Sequence, residues 1–330
     1  MTKHSRISCL FTALLAAAVL GAEPKKSEHA VVFVPAVQDA ITGDWQGSDR
    51  GIAAQVVPTG GGKYQAVLLS RFDVPDNLIA VLQGTPRGNS VDFNGGGWSG
   101  TCDGQHLIAR KGAESLDLRH VTRPSPLLNA SPPDGAVVLL DGGRLDAWAK
   151  KHGKEWLTED GPAAWKSVGD GAIEVVPGSD CIITRQKFGD CKVHVEFRSL
   201  GSPTNSGVFL QTRYEVNINE TYGRTDGTAN AGFDNCSTAE PLARASRPPL
   251  QWQTLDIDFK APRFDPAGKK TASARATVLL NGVKVYDDQP LDPPHGAAAR
   301  LGEAPSGPLM LQEHGMPVQF RNVWVLETPK

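Results

Sequence analysis

Glu215 is the carboxylate in this chain whose setting most invites chemistry. It lies in NSGVFLQTRYEVNINETYG, residues 205–223, where Tyr214, Val216 and Ile218 alternate with Glu215, Asn217 and Asn219. Period two over six residues describes a β-strand with one buried face. The other face aligns a carboxylate and two amides on a rigid support. With Tyr222 close behind, the set suits gripping a polyol or moving a proton; the plain alternative is an ordinary solvated strand. The segment opens on the turn Pro203-Thr204-Asn205-Ser206-Gly207, where Asn and Gly adopt backbone angles that other residues avoid.

The elements that must carry this face read as β throughout. The chain has 330 residues, with 35 Gly and 24 Pro. Long apolar segments of helical period are missing, so many short strands and turns are expected, in an all-β chain long enough for two domains. The formal net charge of −2 gives no reason to expect a nucleic acid or an anionic membrane as partner. Basic Lys3, His4 and Arg6 precede an apolar run from Ile7 to Leu20 that closes on Gly21-Ala22, the pattern of an exported protein's signal peptide over residues 1–22. With that segment removed no membrane span is expected, and the location is periplasmic or extracellular. Cys102, Cys181, Cys191 and Cys236 remain, an even set that permits disulfides or free thiols, with Cys181 and Cys191 able to face each other across a hairpin.

Residues 23–37 read as a tether or a first edge strand. Residues 38–122 read as a small β-meander or barrel, with two apolar runs joined at Pro58-Thr59-Gly60-Gly61-Gly62-Lys63 and shorter ones following. It gathers no cluster of His, Asp and Ser, which suits a structural or glycan-binding accessory module. The Pro-rich stretch 123–133 reads as an extended linker. Residues 134–328 then show about ten strands, including the Asn281-Gly282 hairpin, and point to a two-sheet sandwich or jelly roll.

Within that second part the order of motifs resembles the 3-keto-disaccharide hydrolase domain family, over about residues 134–327. The likeness begins at Val138-Leu139-Leu140-Asp141-Gly142-Gly143-Arg144-Leu145-Asp146-Ala147-Trp148. It runs through Phe188-Gly189-Asp190, Asn205-Ser206-Gly207-Val208-Phe209-Leu210, Tyr214-Glu215-Val216 and Trp252-Gln253-Thr254-Leu255. It closes with Leu311-Gln312-Glu313-His314-Gly315 and Val318-Gln319-Phe320-Arg321-Asn322-Val323. Leu210-Gln211-Thr212 departs from the family's Leu-Arg-Gly, and Asn217 and Asn219 stand where Gln and Asp are common.

The resemblance implies a concanavalin-like jelly-roll sandwich that cleaves glycosides whose ring already carries a ketone at carbon 3. That ketone acidifies the hydrogen on carbon 2, so a base can remove it and the group on carbon 1 leaves by β-elimination; water adding back completes a net hydrolysis. Glu215 is then the expected base, or a metal ligand. His314 is the expected acid/base or ligand, and Arg321 the group that stabilises the enolate or holds hydroxyls. Asn205, Gln211, Asn217 and Gln312 are the expected hydroxyl partners, and Tyr222 or Trp252 the stacking surface. Each also has a plainer reading: a turn for Asn205, an exposed strand position for Arg321, core for Trp252 and loop contacts for His314. His194, between Val193 and Val195, reads as structural. A divalent cation on Glu215, His314 and a third oxygen is compatible with these residue types, while spacing gives it no independent support. No Gly-rich dinucleotide fingerprint follows a strand, so a separate sugar 3-dehydrogenase must supply the ketone. A non-catalytic carbohydrate-binding protein and a surface interaction module are the alternatives, because fold does not settle function.

Overall fold

The first eight strands after residue 42, from Gly43–Gly47 to Glu114–Val121, pair in sequence order and close into a barrel. Closure is made by Gly43–Gly47 against Glu114–Val121, so neither strand is left as an open edge. Alternation fills the interior: Trp45, Val56, Leu68, Leu82, Phe93, Leu107 and Leu118 form one apolar cluster. The computed structural model describes residues 33–36, 38–48, 51–74, 77–225 and 230–329. The expected signal peptide lies outside the described residues, as does residue 23–32 of the expected tether; Val34–Pro35 forms a short strand against Gly201–Ser202. Among the described residues no helix is long and apolar enough to cross a membrane.

The remaining strands form two main sheets. One has eight strands, with Val318–Glu327, Cys191–Ser199 and Gln253–Lys260 at its centre. The other has six, in the order Glu155–Pro162, Trp148–His152, Ile182–Phe188, Gly307–Leu311, Asn205–Leu210 and Tyr214–Asn219. Their inner faces meet in a single apolar cluster, with Val208, Val216 and Leu311 from the six-stranded sheet and Val195, Val278 and Phe320 from the eight-stranded one. Asn281 and Gly282 both take positive φ, 54° and 77°, which is what a two-residue hairpin between Arg275–Leu280 and Val283–Pro290 requires.

Two expectations need correction. Ile182–Phe188 and Cys191–Ser199 do not pair; they belong to different sheets, and Gly189-Asp190 carries the chain across between them. Cys181 and Cys191 therefore do not face each other, and the four described cysteines are all free. The stretch 123–133 does not hang as a linker. Ser125 Oγ shares a hydrogen bond with Thr254 Oγ1 at 2.7 Å, and Asn322 Nδ2 donates to Ala130 O at 3.0 Å. The Asn129 N–H donates to buried Glu196 Oε1 at 2.5 Å. The stretch is thus laid on the outer face of the eight-stranded sheet.

The barrel is joined to the two-sheet part by a buried charge network. Asp44 of the barrel, 1% exposed, accepts from Arg123 Nε at 2.9 Å and from the Tyr222 hydroxyl at 2.8 Å. Asp73 accepts from Arg123 Nη1 at 2.9 Å and Arg247 Nη1 at 3.0 Å. Gly223, with φ of 68°, packs so closely that a Cβ there would lie 2.6 Å from Val57 Cγ1 of the barrel. Removing one member of a buried pair leaves the other charge without compensation. Asp44→Ala is accordingly expected to cost about 3 kcal/mol or more, read as a lower urea midpoint.

Candidate active site

Burial of Tyr214, Val216 and Ile218 in the inter-sheet core turns Glu215, Asn217 and Asn219 to the outer face of the six-stranded sheet. Register then sets their neighbours. Glu215 is opposite Phe209, Asn217 opposite Gly207, and Asn219 opposite Asn205. Phe209 is in turn opposite Met310, and the Gln312 N–H donates to Gly207 O at 3.0 Å. Glu215, Asn205 and Gln312 thus share one outward face, with Gly207 as its floor. A Cβ on Gly207 would lie 3.0 Å from Glu215 Oε1 and 3.3 Å from Phe209 Cε2, so any larger residue would displace the carboxyl.

Tyr214–Asn219 is the last strand of its sheet, yet its edge is not bare. Segment 230–236 runs along it: Asn217 N–H donates to Gly232 O at 2.9 Å and Ala231 N–H to Asn217 O at 3.0 Å. Asn235 Oδ1 accepts from Glu215 N–H at 3.0 Å, while its Nδ2 donates to Arg213 O at 2.8 Å. The side chain of Asn217 locks this segment by donating to Asp234 Oδ1 and accepting from Gly232 N–H. Asp234 is thereby brought beside Glu215. Burial, and then the negative charge of Asp234, push the Glu215 pKa up to about 7. Among the described residues its carboxylate has no hydrogen-bond or ion-pair partner. A carboxyl that is half-buried, unpaired and poised near neutrality is suited to take a proton and return it.

The other expected residues divide. Asn205 is half-buried on the Glu215 face, and Gln312 brings to it an Oε1 that is buried without a hydrogen-bond partner. His314 is exposed on the turn after that strand, a turn fixed by Glu313 Oε1 accepting from Gly178 N–H at 3.1 Å and Gly315 N–H at 2.6 Å. It follows three residues after Leu311, the partner of Val208, so it lies at the rim toward Asn205 rather than beside Glu215. Asn217 is on the right face but spent on segment 230–236, and does not offer its amide to a ligand.

Four residues are placed elsewhere. Arg321 belongs to the eight-stranded sheet and points away from the core on that side. There it bonds Glu196 Oε2 at 2.8 Å and Asn129 Oδ1 at 3.0 Å, and also meets Asp170. Two sheets and the core between them separate it from Glu215, so it cannot stabilise an enolate formed there. Trp252 lies beside it, with Arg198 and Arg321 guanidinium carbons 4.5 and 4.2 Å from its ring centre. Tyr222 is buried against the barrel with its hydroxyl on Asp44, leaving no face for a sugar. Gln211 takes a positive φ of 54° in the turn after Leu210 and is buried, donating to Phe188 O at 3.5 Å. Among the described residues, no group of three or more His, Cys, Asp or Glu side chains could hold a metal ion.

Sequence reasoning missed Asp234, Phe209 and Trp156. Asp234 has no signal of its own, because it reaches Glu215 only through backbone pairing of an irregular segment. Trp156 carried a faint one, as an aromatic residue in an otherwise charged hairpin.

The eight-stranded sheet's outer face is occupied by the 123–133 stretch and by a buried cluster. His194 Nδ1 lies 2.6 Å from Asp256 Oδ1, and its ring stacks on Trp324 with centres 5.0 Å apart. Burial disfavours charge on His194, but the bonds to Asp256 and Glu196 outweigh it and push the pKa up to about 9. Burial likewise favours neutral Glu196, yet His194, Asn322, Arg321 and Asn129 N–H hold its pKa down at about 2. The charged members of this cluster pair with one another, with Asp256 Oδ2 and Trp324 Nε1 left buried without partners, and it reads as structural. The open carboxyl is on the other sheet.

The chain is nearly all-β and presents an unpaired carboxyl among amides on an outward sheet face. Its residues 135–326 match the profile of the 3-keto-alpha-glucoside-1,2-lyase-like domain, and the chain belongs to that family. No curated protein matches it. Among solved structures, a Parabacteroides distasonis protein proposed to be a glycosyl hydrolase is 31% identical, covering 60% of this chain and 86% of its own, with a TM-score of 0.49. A second from the same organism, also proposed to be a glycosyl hydrolase, is 18% identical, covering 59% and 95%, with a TM-score of 0.43.

The raised pKa has a measurable sign. The folded protein resists ionising Glu215, so its contribution to stability is fully present below about pH 4.5 and is lost as pH rises toward 7. Glu215→Gln removes that loss. The variant is expected to equal the parent protein at pH 4 and to exceed it at pH 8 by on the order of 2 kcal/mol, measured by denaturant unfolding at both pH values.

Proposed function

We propose that this chain is an exported enzyme that cleaves 3-keto-glucosides by proton abstraction at carbon 2. The observation that carries the reading is Glu215: a desolvated, unpaired carboxyl with a pKa near 7 on an open face, in a chain of the lyase-like family. Glu215 takes the carbon-2 proton, and the electron pair passes into the enolate of the carbon-3 ketone. The enolate collapses, the carbon 1–oxygen bond breaks, and the leaving oxygen takes the proton back from Glu215. The product is a 3-keto sugar with a double bond between carbons 1 and 2; addition of water across it gives the free 3-keto sugar and a net hydrolysis. Gln312 Oε1 is buried without a partner, and a turn of its amide toward the face would let it accept from a sugar hydroxyl and relieve the cost of that orphan acceptor. Asn205 and the rim residue His314 are the remaining polar contacts in reach of a ring on this face.

The ketone comes from a separate sugar 3-dehydrogenase. The two-sheet part is read as a concanavalin-like jelly roll, the barrel as an accessory module, and residues 1–22 as the export signal.

The test is incubation with a 3-keto disaccharide in deuterated water, with and without chelator, following release of reducing sugar and exchange at carbon 2. The protein is expected to do both, with a rate that rises with pH through about 7 as Glu215 ionises. Glu215→Gln is expected to lower the rate by about 10²–10⁴-fold. Exchange that persists undiminished in this variant removes Glu215 from the reaction. Binding without product in the unaltered protein would make it a carbohydrate-binding module instead.

A further inference from the structure

A hairpin of the six-stranded sheet leaves the plane of that sheet on the side that carries Glu215. Trp156 lies on Glu155–Pro162, the far edge strand, with three strands between it and Asn205–Leu210. On a flat sheet that separation is about 19 Å, from a strand spacing of about 4.8 Å. Yet the Trp156 and Phe209 ring centres are 6.0 Å apart, edge to face at 88°. The hairpin therefore curls over the outer face, and half-buried Trp156 closes an apolar cluster of Ala149, Ile183, Phe209 and Met310. Phe209 is the residue opposite Glu215. Phe209 is itself buried, 2% exposed, with the carboxyl across the register on one side and the indole against its ring on the other.

Arg300 adjoins the indole. It lies near the end of the 3-10 helix Gly296–Leu301, and its Nε and Nη2 both donate to Lys154 O, at 3.1 and 2.5 Å. Those bonds hold the guanidinium 5.1 Å from the Trp156 ring centre. Among the described residues it has no acidic partner. The other nearby cation, Lys151, is engaged by Gly153 O and by Asp180 at 3.4 Å. On the Trp156 strand Glu159 pairs with Arg185 and Asp160 with Lys150, and exposed Glu155, opposite His152, forms no salt bridge among the described residues. This outer face is therefore polarised, with Glu215 and Asp234 on one side of Phe209 and a fixed guanidinium beside an indole on the other.

We infer that Trp156 and Arg300 form a leaving-group subsite that takes a ring bearing a carboxylate. The inference rests on the function proposed above, which puts the ketone-bearing ring at Glu215 and lets its carbon-1 substituent reach across the buried Phe209 position to the indole. The indole stacks on the ring of the leaving group, and the open edge of the guanidinium receives the carboxylate. An aromatic acid and a uronic acid share this chemistry. Arg300 acts on specificity, not on the reacting atoms.

The test uses the full chain carrying Glu215→Gln with probes that lack the carbon-3 ketone, so that ligands bind without turnover. The probes are 4-carboxyphenyl α-glucoside and glucosyl-glucuronic acid, each compared by calorimetry with its neutral amide. The carboxylates are expected to bind about fivefold more tightly than the amides. Adding Arg300→Gln is expected to abolish that ratio, and Arg300→Lys to keep part of it. A role confined to holding Lys154 would weaken acid and amide equally, and that result overturns the inference. So does equal affinity for acid and amide while Arg300 is present, or no binding of any probe. The tighter carboxylate identifies the kind of ring. Failure of the Glu215-intact protein to cleave any 3-keto-glucoside counts against the proposed reaction, while the acid-to-amide ratio still decides the subsite.

Discussion

Burial of Tyr214, Val216 and Ile218 between two sheets is the constraint from which the candidate site follows. Those three side chains cannot leave the core without exposing a large apolar area, so Glu215 cannot turn inward or slide by one residue. The edge is then sealed by segment 230–236, which adds Asp234 and takes water from around the carboxyl. A proton affinity near neutrality is thus a consequence of packing. Among the described residues no cation pairs with it, and Arg321, the arginine that the motifs suggested, is on the other sheet.

Much of the architecture was legible along the chain because strand alternation and turn chemistry are local properties. Asn281-Gly282 forms its hairpin, and Tyr214–Asn219 shows the alternation its residues imply. Alternation also says correctly that Arg321 points away from the core. What it cannot say is which of two sheets a strand joins, and a two-sheet architecture has two outward faces. Arg321 and Trp252 were lost to that ambiguity. Tyr222 and Gln211 were lost for another reason: each lies just past a strand end, where the period stops carrying information and a neighbouring element decides burial. Asn217 is on the intended face, but its amide was already committed to a segment without regular structure. Trp156 and Asp234 reach the site through chain curvature and irregular pairing, and neither leaves a periodic trace.

The two outer faces show how similar residue types can be put to different use. His194, Glu196, Asp256 and Arg321 would make a plausible catalytic set on paper. In place they neutralise one another in a dry setting, with Trp324 against the imidazole and 123–133 across the top. Glu215 lacks such company and keeps an open side. The difference between a scaffold and a site here is whether the charge is already satisfied.

The stretch laid over the eight-stranded sheet also bears on where this protein can be divided. Homology draws the boundary at residue 135, but Asn129 and Ala130 supply a donor and an acceptor to groups buried beneath them. A chain begun at the homology boundary would bring the whole conserved domain and still uncap Glu196. Evolutionary unit and folding unit are offset here by about a dozen residues, and those residues belong energetically to the domain they precede.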